Sequence, residues 1–172
     1  MNLRSATAAL AIAAGATVLA LPATAQAAPY TNCDVDTPSL ALRGEEPDVF
    51  NAINNLRAAN GLKPVTHTTV LSRPAEWASN DSANRGSSPS NHVDTLGRDI
   101  KTRFQQCGVP ANTSRIAEIN YWGYNVTPAN AMNFWEHSPT HRAIILDKNL
   151  TRVGVSVIYK DNHQHWTVTF AS

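Results

Sequence analysis

Six histidines and a scattering of carboxylates are the side chains of this sequence that could do chemistry, and their spacing decides which can act together. His137 and His141 stand at i,i+4, the spacing at which a helix face offers two imidazoles to zinc. Pro139 between them breaks the turn that would align them, and the residue after His137 is Ser138 where such a helix has glutamate. His163 and His165 would share one face of a strand, where a pair can bind metal. They fall at the tip of a hairpin, so solvated polar side chains are expected there. Serine hydrolysis is not indicated: no G-x-S-x-G occurs, and Ser72 and Ser138 both stand where they can cap helices. Glycines are too dispersed for a phosphate-cradling loop.

Local spacing does not decide which of the other histidines and carboxylates converge; His92, Glu118 and His141 each stand near the end of an element, where sites can be assembled on a scaffold. Two neutral imidazoles and a carboxylate are competent ligands for a divalent cation, zinc or magnesium, and a shell short of four protein ligands leaves room for an acidified water. The same three side chains can instead form a hydrogen-bonded polar cluster that orders loops. No organic cofactor is expected.

The elements that must position them follow from periodicity. Val49, Phe50, Ile53 and Leu56 recur at helical spacing from Pro47 to Asn60, and Gly61 ends that helix. Ser72 and Pro74 open a second helix with a narrow face of Ala75, Ala78 and Ser82. A turn-rich loop over 85–91 leads to His92. Asp94 is expected to cap a third helix whose stripe is Leu96, Ile100, Phe104 and Cys107, stopped by Gly108 and Pro110. Ile116–Trp122 is a short strand. Thr127-Pro128 and Ser138-Pro139 are two successive helix starts. Val153–Tyr159 and His165–Phe170 alternate as an antiparallel hairpin around a loop at 160–164. Helices first and strands last give an α+β domain, with helices packed on a small antiparallel sheet.

Composition narrows the class. The chain has 172 residues, 42% hydrophobic and 16% charged, which describes one globular domain. Arg4 precedes an apolar run and the small-residue stretch Ala25-Gln26-Ala27, so residues 1–27 read as a secretory signal peptide cleaved after Ala27, too short to span a bilayer. No later segment is apolar enough for a transmembrane helix. Lys plus Arg number 14 against 13 for Asp plus Glu, a balance that offers nucleic acid no electrostatic footprint. Export places Cys33 and Cys107 in an oxidising compartment, where two cysteines without C-x-x-C spacing pair. The organisation expected is signal peptide 1–27, a disulfide-tied segment 28–46 and one domain 47–172. Sequons begin at Asn80, Asn112, Asn125 and Asn149.

One pattern is more specific than any single motif: Asn55-Leu-Arg57, Gly61-Leu-Lys-Pro-Val65, His92, Ala117-Glu118, Trp135-x-x-Ser-Pro-x-His141-Arg142 with Ile145-Leu146, and Val153-Gly-Val155. In order and spacing this resembles the CAP domain, the family of cysteine-rich secretory proteins, insect venom antigens and plant pathogenesis-related proteins, most closely its short secreted bacterial branch. The resemblance implies an α-β-α sandwich with a cleft of two histidines and acidic residues that holds a divalent cation in several members. His92 and His141 match the histidines and would be the metal pair, and Glu118 matches the first glutamate. Ser138 stands where the second glutamate is expected, which makes Glu136 the candidate in its place.

Three functions are compatible with these readings. The first is a secreted, non-catalytic binding module whose cleft takes an extracellular ligand, such as a lipid or a cell-surface component. The second is a metal-assisted peptidase or esterase with Glu118 as general base. The third is a structural envelope protein.

Overall fold

The computed structural model describes residues 30–35 and 40–172; the expected signal peptide lies outside the described residues. Helix α1, Glu46–Ala59, carries Glu46 and Asp48 in its first turn, where carboxylates oppose the positive end of the helix dipole. Its buried stripe is Val49, Ile53 and Arg57. The Arg57 guanidinium lies inside the protein and donates to the carbonyls of Lys63, Ile145, Asp147 and Leu150. One side chain thus fixes the end of α1 to the loop before the last hairpin.

Strand β1, Thr66–His67, leads directly into helix α2, Thr69–Arg85. The helix begins three residues before the start expected at Ser72. Pairing of β1 with the later strand places Thr68 in extended backbone at the N-cap, and Leu71 and Ser72 already donate to its carbonyl. Pro74 therefore stands inside α2, at the loss of one helical hydrogen bond. Ser72 turns its hydroxyl to His67 Nε2 at 2.7 Å instead of capping.

Helix α3, Ile100–Gln106, starts later than expected, because Asp99 caps it through Thr102 N–H at 2.8 Å. Asp94 is used otherwise: its Oδ1 accepts from the N–H groups of Leu96 and Arg98, closing a turn that leaves Leu96 exposed rather than on the helix stripe. The remaining elements are β2 (Ile116–Tyr124), α4 (Pro128–His137), α5 (Pro139–Ile145), β3 (Arg152–Lys160) and β4 (His163–Ala171). At α4 the Thr127 and Asn130 side chains reciprocally satisfy each other's backbone N–H.

The sheet order is β1-β3-β4-β2. The last three strands are antiparallel, while β1 runs parallel to β3, so the sheet is mixed. Helices α1, α4 and α5 cover one face, where Val49, Ile53, Ile119, Trp135, Ile145, Val155, Trp166, Val168 and Phe170 form the main core. Helix α2, with α3 beside it, covers the other face. The architecture is the α+β, α-β-α sandwich expected. Cys33 and Cys107 are joined by a disulfide with their Cα atoms 5.1 Å apart, tying the segment before α1 to the end of α3.

Candidate functional site

Glu118 projects from β2 toward the α2 side of the sheet and is buried. Arg103, in the middle of α3 and equally buried, reaches it from below, with Nη2 2.8 Å from Oε1 and 2.7 Å from Oε2. A second guanidinium continues the network: Asp94 Oδ2 accepts from Arg98 Nε at 2.7 Å and lies 3.6 Å from Arg103 Nη1. Two carboxylates and two guanidiniums thus neutralise one another out of solvent, the condition under which burying charge is tolerable.

His92 completes this arrangement from above. Its Nδ1–H donates to Glu118 Oε1 at 2.9 Å, and its carbonyl accepts from Arg103 at 3.2 Å. Its backbone is left-handed at φ 57°, an uncommon conformation for a bulky residue, kept by these bonds and by its own N–H donating to Pro89 O. The turn-rich loop and the buried ion pair therefore aim one imidazole outward, its Nε2 away from Glu118.

His141, in the first turn of α5, pairs through Nδ1 with Ser138 Oγ at 2.8 Å and lies 5.4 Å from the Phe134 ring. Burial, and then the nearby His92, hold its pKa below the usual histidine value, so it is neutral at pH 7. Ser138 was expected to cap α5; its hydroxyl orients the histidine instead, as Ser72 does for His67. His92 and His141 face one cleft of about 340 Å³, walled by Ser88, Asn120, Tyr121, Trp122 and Phe134. Glu118 lines the tight recess beneath His92. His92 thus stands between the other two: it shares the cleft with His141 and bonds Glu118, which is buried beneath it and does not line that cleft. Glu136 lies on the exposed side of α4 and does not line the cleft.

A third histidine, His165, belongs to the same region although its place in the sequence suggested a solvated hairpin tip. The strands run further than expected, leaving only Asp161 and Asn162 as the turn, so His165 lies within β4 opposite Trp122. It is 2% exposed, its Nδ1 pairs with Ser82 Oγ at 2.8 Å, and Ser82 Oγ pairs with Ser88 Oγ at 2.6 Å. Burial, with His163 and Lys160 nearby, pushes its pKa down to about 4. The Ser88–Ser82–His165 chain ties α2 and the loop after it to β4 behind the cleft wall. The His165 ring stacks under the Trp122 indole, with centroids 5.9 Å apart and planes 9° apart.

The side chains do not fit a cation held by both histidines and Glu118. Arg103 occupies both carboxylate oxygens, and among the described residues no group of three or more His, Cys, Asp or Glu is placed to hold an ion. Sequence reasoning missed Arg103, which reads as one more basic residue on a polar helix. It also missed His165, whose neighbours Thr167 and Thr169 on the same strand face, opposite the small Ala75, Ala78 and Ser82 of α2, signal a close polar contact.

Similarity to known proteins agrees with this architecture. Residues 50–170 match the family model of the cysteine-rich secretory protein family, CAP. The chain is 28% identical over 149 residues to the uncharacterised protein YkwD of Bacillus subtilis (strain 168), covering 87% of this chain and 54% of that protein. The chain thus spans about half the length of this curated relative. Among solved structures it resembles an outer surface protein of Borrelia burgdorferi, with TM-score 0.66 and 16% identity over 74% of this chain and 92% of that one. It also resembles an extracellular protein containing a SCP domain from Bacillus anthracis str. Ames, with TM-score 0.58 and 22% identity over 74% and 40% of the two chains. With its family model matched across most of the chain and its sandwich shared with these structures, the protein belongs to the CAP, or cysteine-rich secretory protein, family.

Proposed function

We propose that this chain is a secreted binding module whose His92–His141 cleft holds an uncharged extracellular ligand without transforming it. The observation that carries this reading is the clamp of Arg103 on Glu118. A carboxylate with both oxygens engaged by a buried guanidinium, and one also by His92, is an anchor for the loop and not an accessible base. What the cleft then offers is hydrogen-bonding edges from His92, His141, Asn120 and Ser88 between the aromatic walls Tyr121, Trp122 and Phe134. Polar groups placed among aromatic surfaces suit binding and orientation. Secretion is supported by family membership and by the disulfide, a bond that persists in oxidising compartments.

The test has two arms. Nile red, a neutral apolar probe, titrated into labelled protein should shift the NMR signals of Asn120, Tyr121, His92 and His141 and leave Glu136 unmoved. The same protein should hydrolyse neither casein nor 4-nitrophenyl acetate above background. Hydrolysis lost in both Glu118→Gln and His92→Ala, or probe binding only outside the cleft, would overturn the reading.

A further inference from the structure

Strand β2 forms one edge of the sheet, and its register determines which backbone groups are left over. The ladder with β4 continues at both ends: Ser172 N–H donates to Arg115 O, and Asn125 N–H donates to Asn162 O. Between those points the pairing runs from Ile116–Ala171 to Tyr124–His163 without a bulge. In an antiparallel pair, residues that exchange both bonds alternate with residues that exchange none. The odd-numbered residues of β2 are therefore bonded to β4, and Glu118, Asn120, Trp122 and Tyr124 turn their N–H and C=O groups away from the sheet. The Trp135 indole confirms the alternation by donating to Asn120 O at 3.0 Å.

That indole covers the edge only as far as Asn120. Beyond it, no described residue bonds the outward backbone groups of Trp122 or Tyr124, and the two residues are 39% and 62% exposed. Proteins usually blunt such an edge with lysine, proline, a bulge or a very short strand. The opposite edge, β1, is only two residues long. Asn120-Tyr-Trp-Gly-Tyr124 has none of these devices and no charged residue. It is also braced from both faces, because the Trp122 ring rests on the buried His165 and Tyr121 stacks on Phe134 at 4.8 Å.

The cleft of the proposed function lies along this edge and extends to both sides of it. Ser88, His92 and Trp122 line the α2 side, while Tyr121, Phe134 and His141 line the α4 side. An extended polypeptide has the complementary form: backbone groups that complete the ladder, and side chains that alternate to two faces. The lining contains no carboxylate, lysine or arginine, so no fixed charge in it opposes an uncharged backbone.

We infer that the ligand of this cleft is an extended peptide segment of another protein, bound by addition as a fifth strand to the free edge of β2 at Trp122 and Tyr124. This rests on the binding-module reading and names its ligand class. In the test, phage-displayed random heptapeptides are selected on the intact, disulfide-bonded chain. The best sequence is then synthesised with blocked termini and titrated.

Amide exchange at Trp122 and Tyr124 should slow at least tenfold in the complex. Proline at position 124 removes only an outward N–H and leaves the β4 ladder intact. Tyr124→Pro should therefore bind the peptide at least tenfold more weakly than Tyr124→Ala, which loses the same ring but keeps the N–H. Equal affinity of the two variants, an unprotected edge in the complex, or no selected peptide while Nile red still maps to the cleft would overturn peptide addition and leave the binding-module reading standing. Retention of a soluble oligosaccharide in place of any peptide would do the same. The amide exchange is read on the parent protein, so this arm does not depend on how the proline variant folds.

Discussion

On the face of the sheet beneath α1, α4 and α5, the strands present Val153, Val155, Val157, Trp166, Val168 and Phe170. On the face beneath α2, the intervening residues of the same two strands are Gly154, Ser156, His165, Thr167 and Thr169. The first face is held by apolar area and side-chain volume, which are non-directional. The second is held by specific hydrogen bonds at close range: Thr169 Oγ1 donates to Leu71 O at 2.8 Å, Ser79 Oγ donates to Ser156 O at 3.3 Å, and Ser82 pairs with His165. Glu118, Asn120 and Trp122 emerge from this second face. The α2 side of the cleft, with the recess that holds Glu118 beneath His92, is therefore the solvent-facing continuation of an interface already made of polar groups.

The contrast can be tested by damaging each face in its own terms. Trp135→Ala on the apolar face should cost about 3–5 kcal/mol, read from urea unfolding, because it empties a wholly buried site and releases the bond to Asn120 O. On the polar face, Gly154→Ala adds a single methyl yet should cost about 3 kcal/mol. Its Cβ would collide with the Leu71 carbonyl and Ser72 N, backbone atoms of α2 that cannot yield without moving the helix. A Gly154→Ala protein with parental stability would show that α2 is not seated where described.

Acid should act on the polar face chiefly through His165. His165 has an ordinary value of 6.5 and a folded value of about 4, so between those pH values the unfolded chain binds the proton and the folded chain does not. Its contribution is complete above pH 6.5 and is lost as pH falls toward 4, by about 3 kcal/mol at 1.36 kcal/mol per unit. His67 and His141, also lowered by burial, act in the same direction. Unfolding midpoints at pH 7.5, 5.5 and 4 should fall accordingly, and His165→Phe should flatten the slope. An unchanged slope would assign the acid sensitivity elsewhere. The smallest effect is Thr169→Val, about 0.5–1.5 kcal/mol from the loss of one hydrogen bond in a buried interface, measured by the same unfolding curves.

Much of the apolar face was legible in the sequence. The stripe Val49, Ile53 with Pro47 and Gly61, the starts Thr127-Pro128 and Ser138-Pro139, and the alternation of the last two strands are local signals, and each element stands close to where they put it. The polar face was harder to read because its determinants are tertiary. Strand β1 has two residues and no pattern of its own, and the start of α2 follows from its pairing with β3. Ser72 and Ser138 have the composition of caps but bond histidines, since a hydroxyl near both an N–H and an imidazole can serve either. Of the site, His92, Glu118 and His141 were visible through family resemblance. Arg103, which gives the glutamate its character, was not, because nothing local distinguishes a buried arginine from a solvated one.

The turn between β3 and β4 bears on how the chain reaches this state. Asp161 and Asn162 both have left-handed backbone, φ 51° and 59°, the arrangement of a two-residue turn whose twist matches the strands it joins. Hairpins of this kind close in roughly 1–10 μs, because little chain entropy is lost in bringing their strands together. Every other strand pairing here joins segments distant in the chain, and the disulfide spans a separation of 74 residues. The β3–β4 hairpin is thus the first part of the sheet able to form its native pairing. The N-terminal two thirds must wait for it, and until then α1 and α2 have no sheet on which to bury their faces.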